Sequence, residues 1–232
     1  RQERRWLVLA HGQAETELVA VDDIPATMNG LLRFIETNAL FAAALAWAQG
    51  ISRTTIREAL AQFHNSPEQN PGRYNFIDGL PFRILLDYGH NPEGVRELFE
   101  IVSRLPVTGR RVLVSIVGNR FRHHLEALAP WMLETFEQIY LSQDEEYFRN
   151  NSHGFGSEDP LGGMLACATK QIEPGLRKGQ GFVTSRDCRS MLESSLRSCE
   201  PGDLLVILAE ANDVLPMIER LRRDLSHLPH GA

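Results

Sequence analysis

The sequence is short of cysteine, of long apolar runs and of basic clusters, and each shortage removes a class of protein. The three cysteines among 232 residues are Cys167, Cys188 and Cys199. Their odd number and wide spacing make no disulfide framework, metal motif or redox pair, and predict reduced, buried or partly buried thiols in a cytoplasmic protein. The longest apolar stretch, Leu40 to Ala48, is far below the span of a bilayer, so no membrane partner is expected. No secretory leader opens the chain; "RQERRWLVLA" runs straight into a strand-like pattern and reads as a cut through a larger protein. The short basic segment Arg220 to Arg223 reads as the solvated face of a helix, and the formal charge is −6, so nucleic acid is not an expected partner. Absent too is the glycine-rich Gly-Lys-Ser/Thr loop that cradles nucleotide phosphates. What remains, 43% hydrophobic and 23% charged residues, is the make-up of an ordinary globular protein of one large or two smaller domains.

Two strand-like runs come first, Arg5 to Ala10 and Glu17 to Val21, joined by the polar "HGQAE" as a hairpin. An Ala- and Leu-rich helix follows, closed by Gly50 as its C-cap, then a second helix over Thr54 to Phe63 with Ile56, Leu60 and Phe63 on one face. The polar segment His64 to Arg73, with two prolines and a glycine, reads as a linker.

Beyond it the rhythm changes. Strand-like runs at 83–86, 111–117, 138–141, 181–184 and 204–208 alternate with helical patterns at 92–103, 124–136, 160–170, 187–198 and 213–225. Several of these strands are apolar without alternation, as strands covered by helices on both faces are. Strand–helix alternation predicts an α/β fold, a Rossmann-like, mostly parallel sheet with helices on both faces. Gly162-Gly163 lowers the expected regularity of the third of these helices.

The stretch "ILLDYGHNPEG", Ile84 to Gly94, carries the most chemical information. An apolar strand ends on Asp87, and His90, Asn91 and Pro92 follow just before a helix. Proline suits a first helical turn, where its missing N–H leaves nothing unbonded. Open α/β sheets bind ligands at the carboxyl ends of their strands. There a carboxylate can accept from ribose hydroxyls, and a histidine can donate to a phosphate or a developing oxyanion. The same residues also suit a plain turn, with Asn91 capping the helix and Asp87 ordering the loop.

"DYGHNPEG" resembles the motif that opens the C-terminal domain of the Mur ligase family, where D-Y-A-H-N-P is common. "DDIPATMNG", "TNALFAAALAWAQGI", "SPEQNPGR" and "EPGDLLVILAE" are similar, in order and spacing, to the cyanophycin-synthetase branch of that family. The resemblance covers nearly the whole chain. It implies that residues 1–75 are the C-terminal part of the family's central ATPase domain, an α+β tail, and residues 76–232 its C-terminal Rossmann-like domain.

The activity it implies is ATP-dependent amide ligation: ATP activates an aspartate side-chain carboxylate of a cyanophycin-like polymer, and the amine of arginine attacks the acyl phosphate. ATP and Mg2+ are the implied cofactors, with the principal phosphate and metal ligands outside this chain. The implied partners are the rest of the synthetase chain, with its ATP-grasp and N-terminal domains, the polymer, an amino-acid substrate, and further copies in a homo-oligomer. By position, Asn38 matches an adenine-contacting asparagine, Arg73 an arginine near the nucleotide, and Asp87 the ribose-facing aspartate. His90 matches the histidine that approaches the phosphates and is the expected catalytic residue; Asn91 completes the nucleotide-binding set.

The sequence also departs from the family pattern. Ile35 stands where a second asparagine is usual, Asn119 replaces an acid in "IVGNRFRHH", and the acidic "SQDEEYFRNNSHGFGSEDP" replaces a more basic loop. These departures keep open a degenerate half that serves as an oligomerisation or polymer-anchoring module. A folate-type or peptidoglycan-precursor ligase shares the fold without the "SPEQNPGR" junction. Arg120, Arg122, His123 and His124 read as the solvated start of a helix rather than a carboxylate site, and His153 as part of a loop.

Overall fold

The computed structural model describes residues 4–89, 91–116, 122–143 and 160–226. They form two compact units, Arg1–Asn70 and Pro71–Ala232.

The first unit holds an antiparallel hairpin, β1 (Trp6–His11) and β2 (Ala14–Ala20), and two helices, α1 (Arg33–Ala48) and α2 (Arg53–Gln62). Its small core gathers Leu7, Leu18, Ile24, Leu32, Ile35 and Ile56. Gly50 stops α1 as expected: at φ +80° it adopts the left-handed conformation that a Cβ disfavours, and Ile51 N–H returns to Ala46 O at 3.1 Å. Ser52 starts α2 by accepting from Thr55 N–H at 3.1 Å. Residues 64–70 are bonded within this unit: Asn65 Nδ2 donates to Ala26 O at 2.8 Å and Asn70 N–H to Ser66 O at 2.9 Å.

The second unit is the expected α/β domain. Its elements run β3 (Asn75–Ile77), β4 (Arg83–Asp87), α3 (Pro92–Arg104), β5 (Arg110–Ile116), α4 (Arg122–Thr135), β6 (Gln138–Gln143), α5 (Pro160–Ile172), β7 (Gly181–Ser185), α6 (Cys188–Arg197), β8 (Leu204–Leu208) and α7 (Ala211–Ser226). The strands form a six-stranded sheet in the order β3-β4-β8-β5-β6-β7. Five strands are parallel, and β3 pairs antiparallel to β4 at the edge. β3 went unforeseen because three residues are too few to show periodicity. The α5 helix runs unbroken through Gly162-Gly163.

The chain moves from β4 through β5 and β6 to β7, then returns to insert β8 between β4 and β5. Right-handed crossovers put helices of the outward and return paths on opposite faces. One face is closed by α6 and α7, whose Met191, Leu192, Leu196, Val214 and Ile218 pack on Ile84, Leu86, Leu205 and Ile207. On the other, α3 packs on α4, and Phe99 of α3 meets Phe136, just past the end of α4, edge to face with ring centroids 4.8 Å apart. Every residue of β8 is fully buried, which explains its unbroken apolar run "LLVIL".

The amino-terminal edge of this sheet is locked by an ion pair. Arg111 Nε donates to Asp203 Oδ2 at 2.7 Å, and the carboxylate also accepts from Glu200 N–H and the Thr108 hydroxyl. Burial by itself would raise the Asp203 pKa, but the Glu200, Arg111 and Thr108 donors outweigh it and hold the carboxyl below its ordinary value. The folded-state pKa therefore lies below the unfolded one. The resulting stabilisation is complete above the unfolded value near 4 and is lost as pH falls through the folded value. Asp203→Ala is expected to cost about 2–4 kcal/mol at pH 7, shrinking below about pH 4. A penalty unchanged between pH 7 and pH 3 in thermal melts contradicts this.

Candidate functional site

The β4 strand delivers Asp87 to the carboxyl end of the sheet. Its Ile84, Leu85 and Leu86 have no exposed surface, and Asp87 is only 7% exposed. A carboxylate so placed needs donors, and here the backbone supplies them. Asp87 Oδ2 accepts from Tyr74 N–H at 3.0 Å and Oδ1 from Gly89 N–H at 2.6 Å. Both donors sit in left-handed backbone, at φ 50° and 52°, so the carboxylate fastens two turns at once.

The turn it fastens is "PGRYN", the first residues of the second unit. Gly72 N–H donates to Asn75 Oδ1 at 2.6 Å, Asn75 Nδ2 to Arg73 O at 3.1 Å, and Tyr88 N–H to Gly72 O at 2.9 Å. Gly72 is at φ +70°, with a notional Cβ 3.2 Å from that of Ala211, so a side chain there would meet both strain and crowding. The Tyr74 hydroxyl donates to Gly94 O at 3.1 Å. Burial first, then the charges of Asp87 and Glu97, push its pKa above the ordinary tyrosine value, so it stays a neutral donor. The Arg73 guanidinium lies over the Tyr88 ring, 5.1 Å from the centroid. Asn91 caps α3 by accepting from Gly94 N–H at 2.7 Å, with Pro92 in the first turn.

Arg73, Asp87 and Asn91 thus fall within one cluster of turns at the β4 end. Asn38 lies exposed on α1 of the other unit. His90, Gly118, Asn119, Arg120 and His153 lie outside the described residues; Arg122, His123 and His124 open α4, as expected of a helix start. Two buried polar residues that organise the cluster, Tyr74 and Asn75, were not singled out from sequence. The signal for Asn75 was local: an asparagine three residues after a Gly in "PGRYN" is a turn-bonding pattern.

A polar rim of this composition suits a nucleotide. A carboxylate at this rim is the kind of group that accepts from ribose hydroxyls, and the exposed Arg73 guanidinium the kind that pairs with phosphates. Magnesium does not find a ready-made seat: among the described residues no group of three or more His, Cys, Asp and Glu side chains is placed to hold a metal ion. Among the described residues, no helix is long and apolar enough to cross a membrane.

Comparison with known proteins agrees with the fold. The family model described as "Mur ligase, glutamate ligase domain" matches residues 72–211. The chain is 27% identical over 210 residues to the cyanophycin synthetase of Crocosphaera subtropica, covering 90% of this chain and 23% of that protein. It is 30% identical over 189 residues to that of Synechocystis sp., covering 81% and 20%. A UDP-N-acetylmuramoyl-L-alanyl-D-glutamate--2,6-diaminopimelate ligase from Geobacillus thermodenitrificans is 26% identical over 183 residues, covering 78% and 34%. The chain therefore spans about a quarter of the length of the cyanophycin synthetases it matches, or less. Among solved structures, E. coli FolC in complex with DHPP and ADP superposes with a TM-score of 0.60 at 16% identity, covering 97% of this chain and 45% of that one. The folylpolyglutamate synthase of Thermotoga maritima gives 0.55 at 19% identity, covering 88% and 42%; at such identities these two likenesses speak for the fold. With its parallel sheet, its "DYGHNP" turn and a match over residues 72–211, the chain belongs to the Mur ligase family.

Proposed function

We propose that this chain is the Mur-ligase-like portion of an ATP-dependent amide ligase of the cyanophycin synthetase type. The observation that carries the reading is the extent of the likeness: cyanophycin synthetases match about nine-tenths of the chain, across both units, at 26–28% identity. On this reading residues 1–75 complete a central ATPase domain and residues 76–232 form the C-terminal domain. The surface of α1 supports the first assignment. Phe41 and Leu45 are each 67% exposed, and Leu40 and Trp47 each 43%; a helix apolar on so many sides is built to be covered by more protein.

ATP supplies the phosphoryl group that turns an aspartate side-chain carboxylate of the polymer into an acyl phosphate. The residues of this chain orient and stabilise the reactants. Asp87, fixed through Tyr74 and Gly89, accepts from ribose hydroxyls. Arg73, stacked on Tyr88, pairs with phosphate oxygens, Asn38 reads the adenine edge, and Asn91 holds the start of α3 beside the nucleotide. His90 donates to charge developing on the transferring phosphoryl group. The amine of arginine then attacks the acyl carbon, an amide forms, and phosphate and ADP leave. The same reading places the protein in the cytoplasm as a homo-oligomer bearing ATP-grasp and N-terminal domains, with magnesium held by residues outside this chain.

The isolated chain is expected to be a poor nucleotide binder, because its sequence has no phosphate loop to supply the backbone N–H groups that dominate phosphate recognition. Calorimetry on residues 1–232 with ATP and magnesium is expected to give no binding in the micromolar range. The full-length protein is expected to release ADP only when ATP, polymer primer and arginine are all present. Micromolar ATP binding by the isolated chain would mean that the phosphate site has been misplaced. Absence of ADP release by the full-length protein would favour a scaffolding role.

A further inference from the structure

The two helices that close one face of the sheet leave a groove along their outer side. β7 and β8 run parallel and each feeds its helix at the carboxyl rim, so α6 and α7 lie side by side and run from that rim toward the amino edge. Their inner faces, through Met191, Leu192, Val214 and Ile218, are buried on the sheet. Between their outer faces lies a groove of about 230 Å³ with an apolar lining of Leu196, Pro216, Met217 and Leu221.

The charges along this groove are Arg189, Glu193 and Arg197 from α6, and Arg220 and Asp224 from α7. Successive members on each helix are four residues apart, the spacing at which opposite charges on a helix meet. Elsewhere such neighbours pair: Arg96 lies 3.9 Å from Glu100 on α3, and Arg222 lies 2.8 Å from Glu219 on α7. In the groove they do not. Among the described residues no ion pair joins any of these five side chains to another group.

The signs and the dimensions narrow the partner. The phosphates of a nucleic acid would be repelled by Glu193 and Asp224, and a purely basic chain by the three arginines. A small-molecule pocket is commonly larger, on the order of 300–1,000 Å³. An extended chain that carries a carboxylate and a guanidinium on every unit meets both signs. The polymer of the proposed reaction is such a chain, because arginine joined through its amine keeps its carboxylate and its guanidinium. From Arg189 to Arg197, and from Pro216 to Asp224, the groove follows two turns of helix, roughly 12 Å. That is the length of about three to four extended residues.

We propose that the α6–α7 groove docks the finished part of the polymer behind the end that reacts. This rests on the ligase reading above. Polymer carboxylates pair with Arg189, Arg197 and Arg220, polymer guanidinium groups with Glu193 and Asp224, and the methylene stems of the arginine groups lie on Leu196, Met217 and Leu221. Contacts repeated along one chain raise its effective concentration at the reacting site. The groove therefore governs affinity for long chains and leaves the chemical step alone.

The test is the double substitution Arg197→Glu/Arg220→Glu in the full-length protein, with Lys170→Glu/Lys178→Glu as a control of equal charge change. All four side chains are exposed, so both variants are expected to melt within about 2 °C of the parent. Primers of about three and about twelve units, roughly 10 and 40 Å when extended, are compared. The groove variant is expected to raise the KM for the long primer about tenfold with kcat unchanged. Its KM values for the short primer, arginine and ATP are expected to stay parental. Sedimentation without ATP is expected to show about tenfold weaker binding of long polymer by the groove variant, and parental binding that weakens with salt. A parental KM for the long primer, or an equal rise in the lysine control, overturns the proposal. So does an equal rise for both primers, which would put Arg197 and Arg220 at the reacting end. A smaller oligomer with parental primer kinetics would make the groove a contact between copies and overturn it as well. If the parent turns nothing over but binds long polymer, and the groove variant does not bind it, the ligase reading falls and the groove stands.

Discussion

Replacing Asp87 by alanine is expected to lower the melting temperature of the protein by about 10 °C. The carboxylate is 7% exposed and is the partner of two backbone N–H groups, those of Tyr74 and Gly89. Hydrogen bonds to a charged group are worth about 1.5–3 kcal/mol each, and their loss leaves both donors without that acceptor, so about 3–5 kcal/mol goes with the side chain. For a protein of this size each kcal/mol is about 2–4 °C. Asp87→Asn should lose roughly half as much, because the amide keeps one acceptor oxygen and turns a donor toward the other N–H. In the full-length protein, Asp87→Asn is also expected to raise the KM for ATP, since the proposed ribose contact would be made in ground and transition states alike. Thermal melts of the three proteins at pH 7 check the stability ordering. An Asp87→Ala variant melting within a degree or two of the parent would show that the two bonds do not hold the turns.

His90→Ala is expected to do the opposite: to reduce turnover by roughly two to three orders of magnitude while moving the melting temperature by no more than about 1–2 °C. Loss of one donor to transition-state charge has a rate effect of that size, and a histidine within so turn-rich a sequence as "DYGHNP" is expected to contribute little to folding. The chain on either side of His90 is tightly set. Gly89 is bound by Asp87, and Asn91 caps α3 through Gly94. The anchors of the motif and its expected catalytic group are thus different residues, and the two substitutions separate stability from rate. Steady-state ADP release together with melts of the same preparations is the measurement. A His90→Ala enzyme with parental turnover would reduce "DYGHNP" to a turn and helix cap.

The parts of the fold that were legible were those written locally. Apolar runs such as "LLVIL" and the intervening amphipathic helices fix parallel strands covered on both faces, and β8 is buried along its whole length. Asn91-Pro92 announces the start of α3 because a cap and a first-turn proline act over three residues. The insertion of β8 between β4 and β5 was not legible, since strand order depends on where distant crossovers pack. The bonding of Asp87 was half legible: a strand-ending carboxylate announces itself, but its partner Tyr74 lies 13 residues away in the chain. The groove between α6 and α7 was not legible, because Arg197 and Arg220 read as charges of separate solvated helix faces until the structure sets them along one channel.

The account stands or falls on acyl-phosphate chemistry, and oxygen transfer reports it directly. A polymer primer whose terminal aspartate side-chain carboxylate carries oxygen-18 is incubated with the full-length protein, ATP and arginine, and the released phosphate is analysed by mass spectrometry. Attack of a carboxylate oxygen on the γ-phosphorus, followed by attack of the amine on the acyl carbon, leaves that oxygen on phosphate. One labelled oxygen per phosphate, in step with ADP and new amide, is the expected result. Unlabelled phosphate, or AMP and pyrophosphate in place of ADP, would contradict it.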